Sequence, residues 1–102
     1  MENVLAGIKV ITTDEGYLES LDQWTPEIAE AIAEQEGIEL TEQHWEVIKW
    51  IQEQVRNEKA LTIRGIKKSG PVDIKQFYAL FPKGPLKVST KIAGVPKPKS
   101  CI

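Results

Sequence analysis

Thr41-Glu42-Gln43-His44-Trp45-Glu46-Val47-Ile48-Lys49-Trp50-Ile51-Gln52-Glu53-Gln54-Val55-Arg56-Asn57 is the most strongly periodic stretch of this 102-residue chain. His44, Val47, Ile48, Ile51 and Val55 recur at steps of three and four, which places them on one helical face with Trp45 and Trp50 flanking it. Thr41 can cap and Glu42 stands at the positive end of the helix dipole, so the spacing predicts a helix over 42–57. Its apolar stripe needs partners. Upstream, Thr25 as cap and Pro26 at the first helical position start a helix over 26–36, with Ile28, Ala29, Ile32 and Ala33 as its stripe and Gly37 as its left-handed stop.

Downstream, a short helix over 62–68 follows Thr62, weakened by Gly65. Ser69-Gly70-Pro71 breaks the chain, and Val72 to Leu80 resumes a helical pattern with Ile74, Phe77, Tyr78 and Phe81 as the expected core face, ended by Pro82. Phe81-Pro82-Lys83-Gly84-Pro85 is a turn, and Leu86 to Ile92 is expected to form one or two helical turns. At the amino end Val4, Ile8, Val10 and Ile11, with the turn Thr13-Asp14-Glu15-Gly16, predict a small hairpin or meander. The fold class is therefore α+β, with helices dominant.

Composition narrows the function. One domain of this length buries a single core without disulfide or metal staples. The longest stretch free of charge, Gln76 to Pro82, is seven residues, against the roughly twenty of a membrane helix. Met1-Glu2-Asn3 opens with none of the features of an export signal, which gives a cytoplasmic expectation. One cysteine closes no internal disulfide, and one cysteine with one histidine falls short of a zinc ligand set, so no metal is expected. Residues 1–58 hold 14 acidic and 3 basic side chains, whereas 59–102 hold Asp73 against nine lysines and Arg64. Such a split marks either a face for an anionic partner, nucleic acid or acidic protein, or internal neutralisation of the acidic half.

Gly94-Val95-Pro96-Lys97-Pro98-Lys99-Ser100-Cys101-Ile102 has neither helical nor strand period, and its prolines propagate neither ladder. It reads as an extended arm after a globular unit over 1–93. Seven steps from Gly94 to Cys101, at about 3.3 Å each, give the thiol a reach of some 23 Å. A lone cysteine is most often a small buried hydrophobe, but a penultimate one behind Pro-Lys-Pro-Lys-Ser is hard to pack into a core. Exposure and reach suit a nucleophile that enters another protein's pocket, accepts a group and leaves. Lys97 and Lys99 favour the thiolate and the carboxylate of Ile102 opposes it.

The other candidates are weaker. His44, the sole histidine, reads as a satisfied boundary residue before it reads as a base. Arg64 either holds an anion or pairs with the acidic half. Lys83, Lys91, Lys97 and Lys99 are candidates for partner docking or anion binding, alongside Lys67, Lys68 and Lys87. The carboxylates show no acid–base pairing, and no phosphate loop, nucleophile elbow or Ser-His-Asp set is present. The helix over 42–57, the loop 58–61 and the helix over 62–68 can also be drawn as a helix-turn-helix with residues 64, 67 and 68 near a phosphate backbone.

Leu80-Phe81-Pro82-Lys83-Gly84-Pro85, then Lys91-Ile92-Ala93-Gly94-Val95-Pro96-Lys97-Pro98 and the penultimate Cys101, closely resemble the carboxyl-terminal signature of the DsrC/TusE family. Asp14-Glu15-Gly16-Tyr17-Leu18, with Trp24 beyond it, and Glu42-Gln43-His44-Trp45-Glu46-Val47-Ile48 match too, so the similarity spans nearly the whole chain. The family includes the gamma subunit of dissimilatory sulfite reductase and the sulfur-relay protein of tRNA thiolation. The resemblance implies a small amino-terminal β-meander packed on about five helices, a flexible carboxyl-terminal arm and no bound cofactor. It also implies that Cys101 carries sulfur as a persulfide, accepted from a sulfur-donor relay complex and delivered to a tRNA-thiolating acceptor enzyme or sulfite reductase. Members that work with sulfite reductase carry a second cysteine eleven positions before the penultimate one. That position is Thr90 here, which resembles the single-cysteine relay branch. The segment between the 42–57 helix and Phe77 is shorter than in relay proteins. The competing reading is a non-catalytic subunit or regulatory, DNA-binding module linked to sulfur metabolism.

Overall fold

The computed structural model describes residues 2–59 and 61–96. Two antiparallel strands, β1 (Glu2–Leu5) and β2 (Ile8–Ile11), are followed by a 3₁₀ turn at Leu21–Gln23 and five helices. These are α1 (Pro26–Gln35), α2 (Glu42–Arg56), α3 (Ile63–Ser69), α4 (Ile74–Leu80) and α5 (Pro85–Ala93). The α+β expectation holds, and α1, α2 and α3 lie within a residue of their predicted bounds.

The local causes are visible in the caps. Thr25 Oγ1 accepts from the Ile28 amide at 3.2 Å, Thr62 Oγ1 from Gly65 at 3.0 Å, and Asp73 Oδ1 from Gln76 at 2.7 Å. Each satisfies an amide that the first turn leaves without an intrahelical partner. The Asp73 cap explains why α4 begins at Ile74 and not at Val72. Val72 instead turns into the core, while Tyr78, expected there, is 42% exposed. The shorter helix carries Phe77 and Phe81 inward, both fully buried with rings 5.7 Å apart, and leaves Tyr78 one position off that face.

The hairpin closes at Ala6-Gly7, where both residues have positive φ (53° and 77°), and Leu5 pairs with Ile8 across it. Two successive left-handed residues make the tight turn whose twist suits a hairpin. The predicted Asp/Gly turn lies one step later: it brings Thr12 opposite Leu18 in an isolated bridge. The chain thus reverses twice, at Ala6-Gly7 and at the expected Asp/Gly turn, and the weaker turn signal of Ala6-Gly7 left the first reversal unassigned in the sequence.

Helix α5 is the axle of the molecule. Pro85, Leu86, Val88, Ser89, Thr90, Ile92 and Ala93 are all buried, and α5 packs against α1, α2 and α4. It is longer than the one or two turns expected, because the prolines flanking it sit outside its interior: Pro85 occupies the first helical position.

Candidate functional site

The last turn of α5 leads toward the segment that holds Cys101 in the sequence. Four backbone carbonyls end a helix without intrahelical partners, and here each finds one. The Val95 amide donates to the Thr90 carbonyl at 3.2 Å, and the Gly94 amide to the Lys91 carbonyl at 3.2 Å. Trp24 Nε1 donates to the Ile92 carbonyl at 2.8 Å, and Gln52 Nε2 to the Ala93 carbonyl at 2.8 Å. Gly94 takes the left-handed conformation at φ +75°, and a Cβ there would lie 2.5 Å from Trp24 Cδ1. Gly94 and Val95 are buried and Pro96 is exposed. Gly94 and Val95 are thus packed with the end of α5.

Gln52 escaped the sequence reading, although a signal was available: it lies four residues after Ile48 on the buried face of α2, where a polar side chain is costly unless bonded. The Trp24 indole is partly buried, and its N–H has the specific task described above.

The remaining candidates divide clearly. Lys91 Nζ lies 3.1 Å from Glu36 Oε1 and 5.5 Å from the centre of the Tyr17 ring, so this basic side chain joins the two halves of the charge split inside the fold. Tyr17 in turn donates its hydroxyl to the Lys87 carbonyl at 3.1 Å. Lys83 is exposed, with its Nζ near the carboxyl end of α1 at Gly37. Arg64, Lys67 and Lys68 are exposed on α3, whose one buried residue is Ile66. Arg64 makes no hydrogen bond or ion pair with another of the described residues. Cys101, Lys97 and Lys99 lie outside the described residues.

His44 is a structural fastener. Its Nδ1 accepts from the Thr41 amide at 3.1 Å, with the Thr41 hydroxyl 2.8 Å away, so the ring proton sits on Nε2 and is donated to the Leu80 carbonyl at 2.9 Å. The imidazole closes a capping box in place of the usual Glu or Gln and meets Phe81 edge-on at 5.0 Å. Thr90 is fully buried. Its Oγ1 lies within hydrogen-bond distance of the Leu86 and Lys87 carbonyls. Among the described residues no cluster of histidine, cysteine and carboxylates is able to hold a metal ion, and no helix is long and apolar enough to cross a membrane.

A family model described as "DsrC like protein" matches residues 4–102. The chain belongs to the DsrC-like family. Sulfurtransferase TusE of Salmonella typhimurium is 40% identical over 107 aligned residues, covering 97% of this chain and 98% of the relative. Sulfurtransferase TusE of Escherichia coli is 38% identical with the same coverage. The solution structure of DsrC from Allochromatium vinosum superposes with a TM-score of 0.81 at 35% identity over all of both chains. The oxidised gamma subunit of dissimilatory sulfite reductase from Archaeoglobus fulgidus does so with 0.79 at 31%, again over both chains. The aligned length of 107 exceeds this chain's 102 residues, so this DsrC-like protein lacks residues that the TusE relatives possess.

Proposed function

We propose that this DsrC-like protein is a sulfur-relay carrier, loaded as a persulfide on Cys101 and discharged to an acceptor in tRNA 2-thiouridine formation, within the cytoplasm. The observation that carries the reading is full-length similarity to sulfurtransferases named TusE at up to 40% identity, joined to a single cysteine at the penultimate position. Thr90 supports the single-cysteine branch: a residue there is sealed inside α5 with its hydroxyl turned to backbone carbonyls. An intramolecular disulfide with Cys101 is ruled out by composition.

The chemistry needs no resident cofactor. The Cys101 thiolate attacks the outer sulfur of a donor persulfide; the new Sγ–S bond forms as the donor's S–S bond breaks, and the electron pair leaves with the donor thiolate. Sulfur moves without net oxidation or reduction. At the acceptor, an incoming thiolate attacks the outer sulfur of the Cys101 persulfide and returns Cys101 as thiolate. The residues after Val95 act as the carrier arm. Arg64 and Lys83 on the body, with Lys97 and Lys99 on the arm, dock a partner of opposite charge. The helix-turn-helix alternative gains nothing from the relatives, whose names are those of sulfur proteins.

The test is complementation of a bacterium lacking its own TusE, with nucleoside mass spectrometry of its tRNA. The wild-type chain is expected to restore 2-thiouridine and Cys101→Ser to restore none. Restoration by both, or by neither, contradicts the assignment.

A further inference from the structure

We propose that the free edge of β1, with the groove between it and α1, docks a lysine- or arginine-bearing segment of a partner protein, which adds in extended form as a third strand. The site uses neither Cys101 nor the basic side chains of α3, so it goes beyond the carrier reading.

The register shows which backbone groups are on offer. Residues opposite one another in an antiparallel pair either both bond across it or both point away. The Ile11 amide donates to Gln23 Oε1 at 2.6 Å and its carbonyl accepts from Gln23 Nε2 at 3.0 Å, so Ile11 points away from β1. Its partner Glu2 therefore points away from β2, and so does Val4, two residues on. The two edges of the hairpin differ in what covers them. On β2 the Gln23 carboxamide stands in for a strand, the Glu19 amide adds a bond to the Ile11 carbonyl at 3.1 Å, and the exposed Lys9 guards the rest. On β1 the outward N–H and C=O groups of Glu2 and Val4 have no partner among the described residues. An extended peptide is the ligand whose own backbone groups match such an edge.

Beside this edge lies a hollow of about 440 Å³ lined by Val4, Leu5, Ala6, Ala31, Glu34 and Gln35. It shares Val4, Leu5 and Gln35 with a second hollow of about 300 Å³ that reaches Asp14, so one groove follows β1 along its length. Val4, 62% exposed, is the most exposed large apolar side chain among the described residues. Charge selects the occupant. Glu2, Asp14 and Glu34 are exposed here, whereas Lys91, which also lines the groove, is held by Glu36 at 3.1 Å. A strand with a basic residue opposite Glu2 and an apolar residue opposite Val4, two positions apart, makes both cross-strand pairs favourable. A second copy of the chain would instead bring another acidic β1 to an acidic groove, a juxtaposition that like charges disfavour.

The probe is a capped octapeptide of alternating lysine and valine, compared with the same peptide carrying glutamate for lysine. With the lysine peptide at about 1 mM, solvent exchange of the Val4 amide, read by NMR, is expected to slow about tenfold. The glutamate peptide is expected to leave it unchanged. Val4→Pro removes the outward donor at an edge position where proline is tolerated, and is expected to abolish the peptide-induced shifts of the Ala31 and Gln35 amides. Glu2→Lys combined with Glu34→Lys, both at exposed positions, is expected to reverse the preference between the peptides. An unprotected Val4 amide in the presence of the lysine peptide overturns the proposal, as does equal protection by both peptides. A Val4 amide already protected without peptide also overturns it, since a second copy or another part of the chain then holds the edge. No sulfur transfer enters the measurement, so its failure leaves the carrier reading intact.

Discussion

Gly94 answers two independent demands, a backbone at φ +75° and an indole that would stand 2.5 Å from any Cβ. Gly94→Ala meets both penalties at once, the left-handed backbone and overpacking against Trp24, for a loss of about 3 kcal/mol. Urea denaturation checks it, with an unchanged midpoint as the contrary result. Glycine after a helical run is a familiar stop signal, so the conformation of Gly94 was legible; the close approach of Trp24, 70 positions away in sequence, was not. Gln52 shows the same limit: the stripe of α2 placed it on the buried side, but only the fold reveals that a carbonyl of α5 waits there. At Tyr78 the reading was wrong, since a helix that begins at Ile74 turns that ring outward.

At the scale of elements, caps and stripes were sufficient for α1, α2 and α3, because local chemistry dictates them: Thr25, Thr41 and Thr62 announce the starts. Helix α5 was expected to be shorter; the fold buries its Ser89 and Thr90 and turns their hydroxyls onto carbonyls of their own helix. The join between α2 and α4 is the work of His44, which bridges the Thr41 amide and the Leu80 carbonyl. His44→Leu removes both bonds and leaves the Leu80 carbonyl without this donor, for an expected loss of about 2 kcal/mol. Because both ring nitrogens of His44 are engaged in fastening helices, iodoacetamide should label Cys101 in this variant at the wild-type rate under folding conditions. A slowed labelling rate in the folded variant would give His44 a chemical role that its two hydrogen bonds do not suggest.

Across the whole molecule, the charge split resolves into two uses. Lys91 spends its charge inside, on Glu36 and the Tyr17 ring, whereas Arg64, Lys67, Lys68 and Lys83 face outward. Exposed charges act chiefly on encounter rates and on their salt dependence. Arg64→Glu combined with Lys67→Glu is therefore expected to leave the unfolding midpoint within about 0.5 kcal/mol of wild type. The same pair should lower the rate of sulfur delivery to a protein acceptor at low salt, an effect that fades as salt is raised. Equal delivery rates at low salt would remove this face from partner docking. The asymmetry was plain in the sequence, but its division between internal pairing and free surface depends on which helices meet. The carrier role itself reduces to one bond on one atom. Intact-mass spectrometry after incubation with a low-molecular-weight persulfide donor reads that bond directly: the wild-type chain is predicted to gain the mass of one sulfur atom, reversibly with dithiothreitol, and Cys101→Ser to gain none. A wild-type chain that gains nothing, or a serine variant that gains as much, contradicts the account.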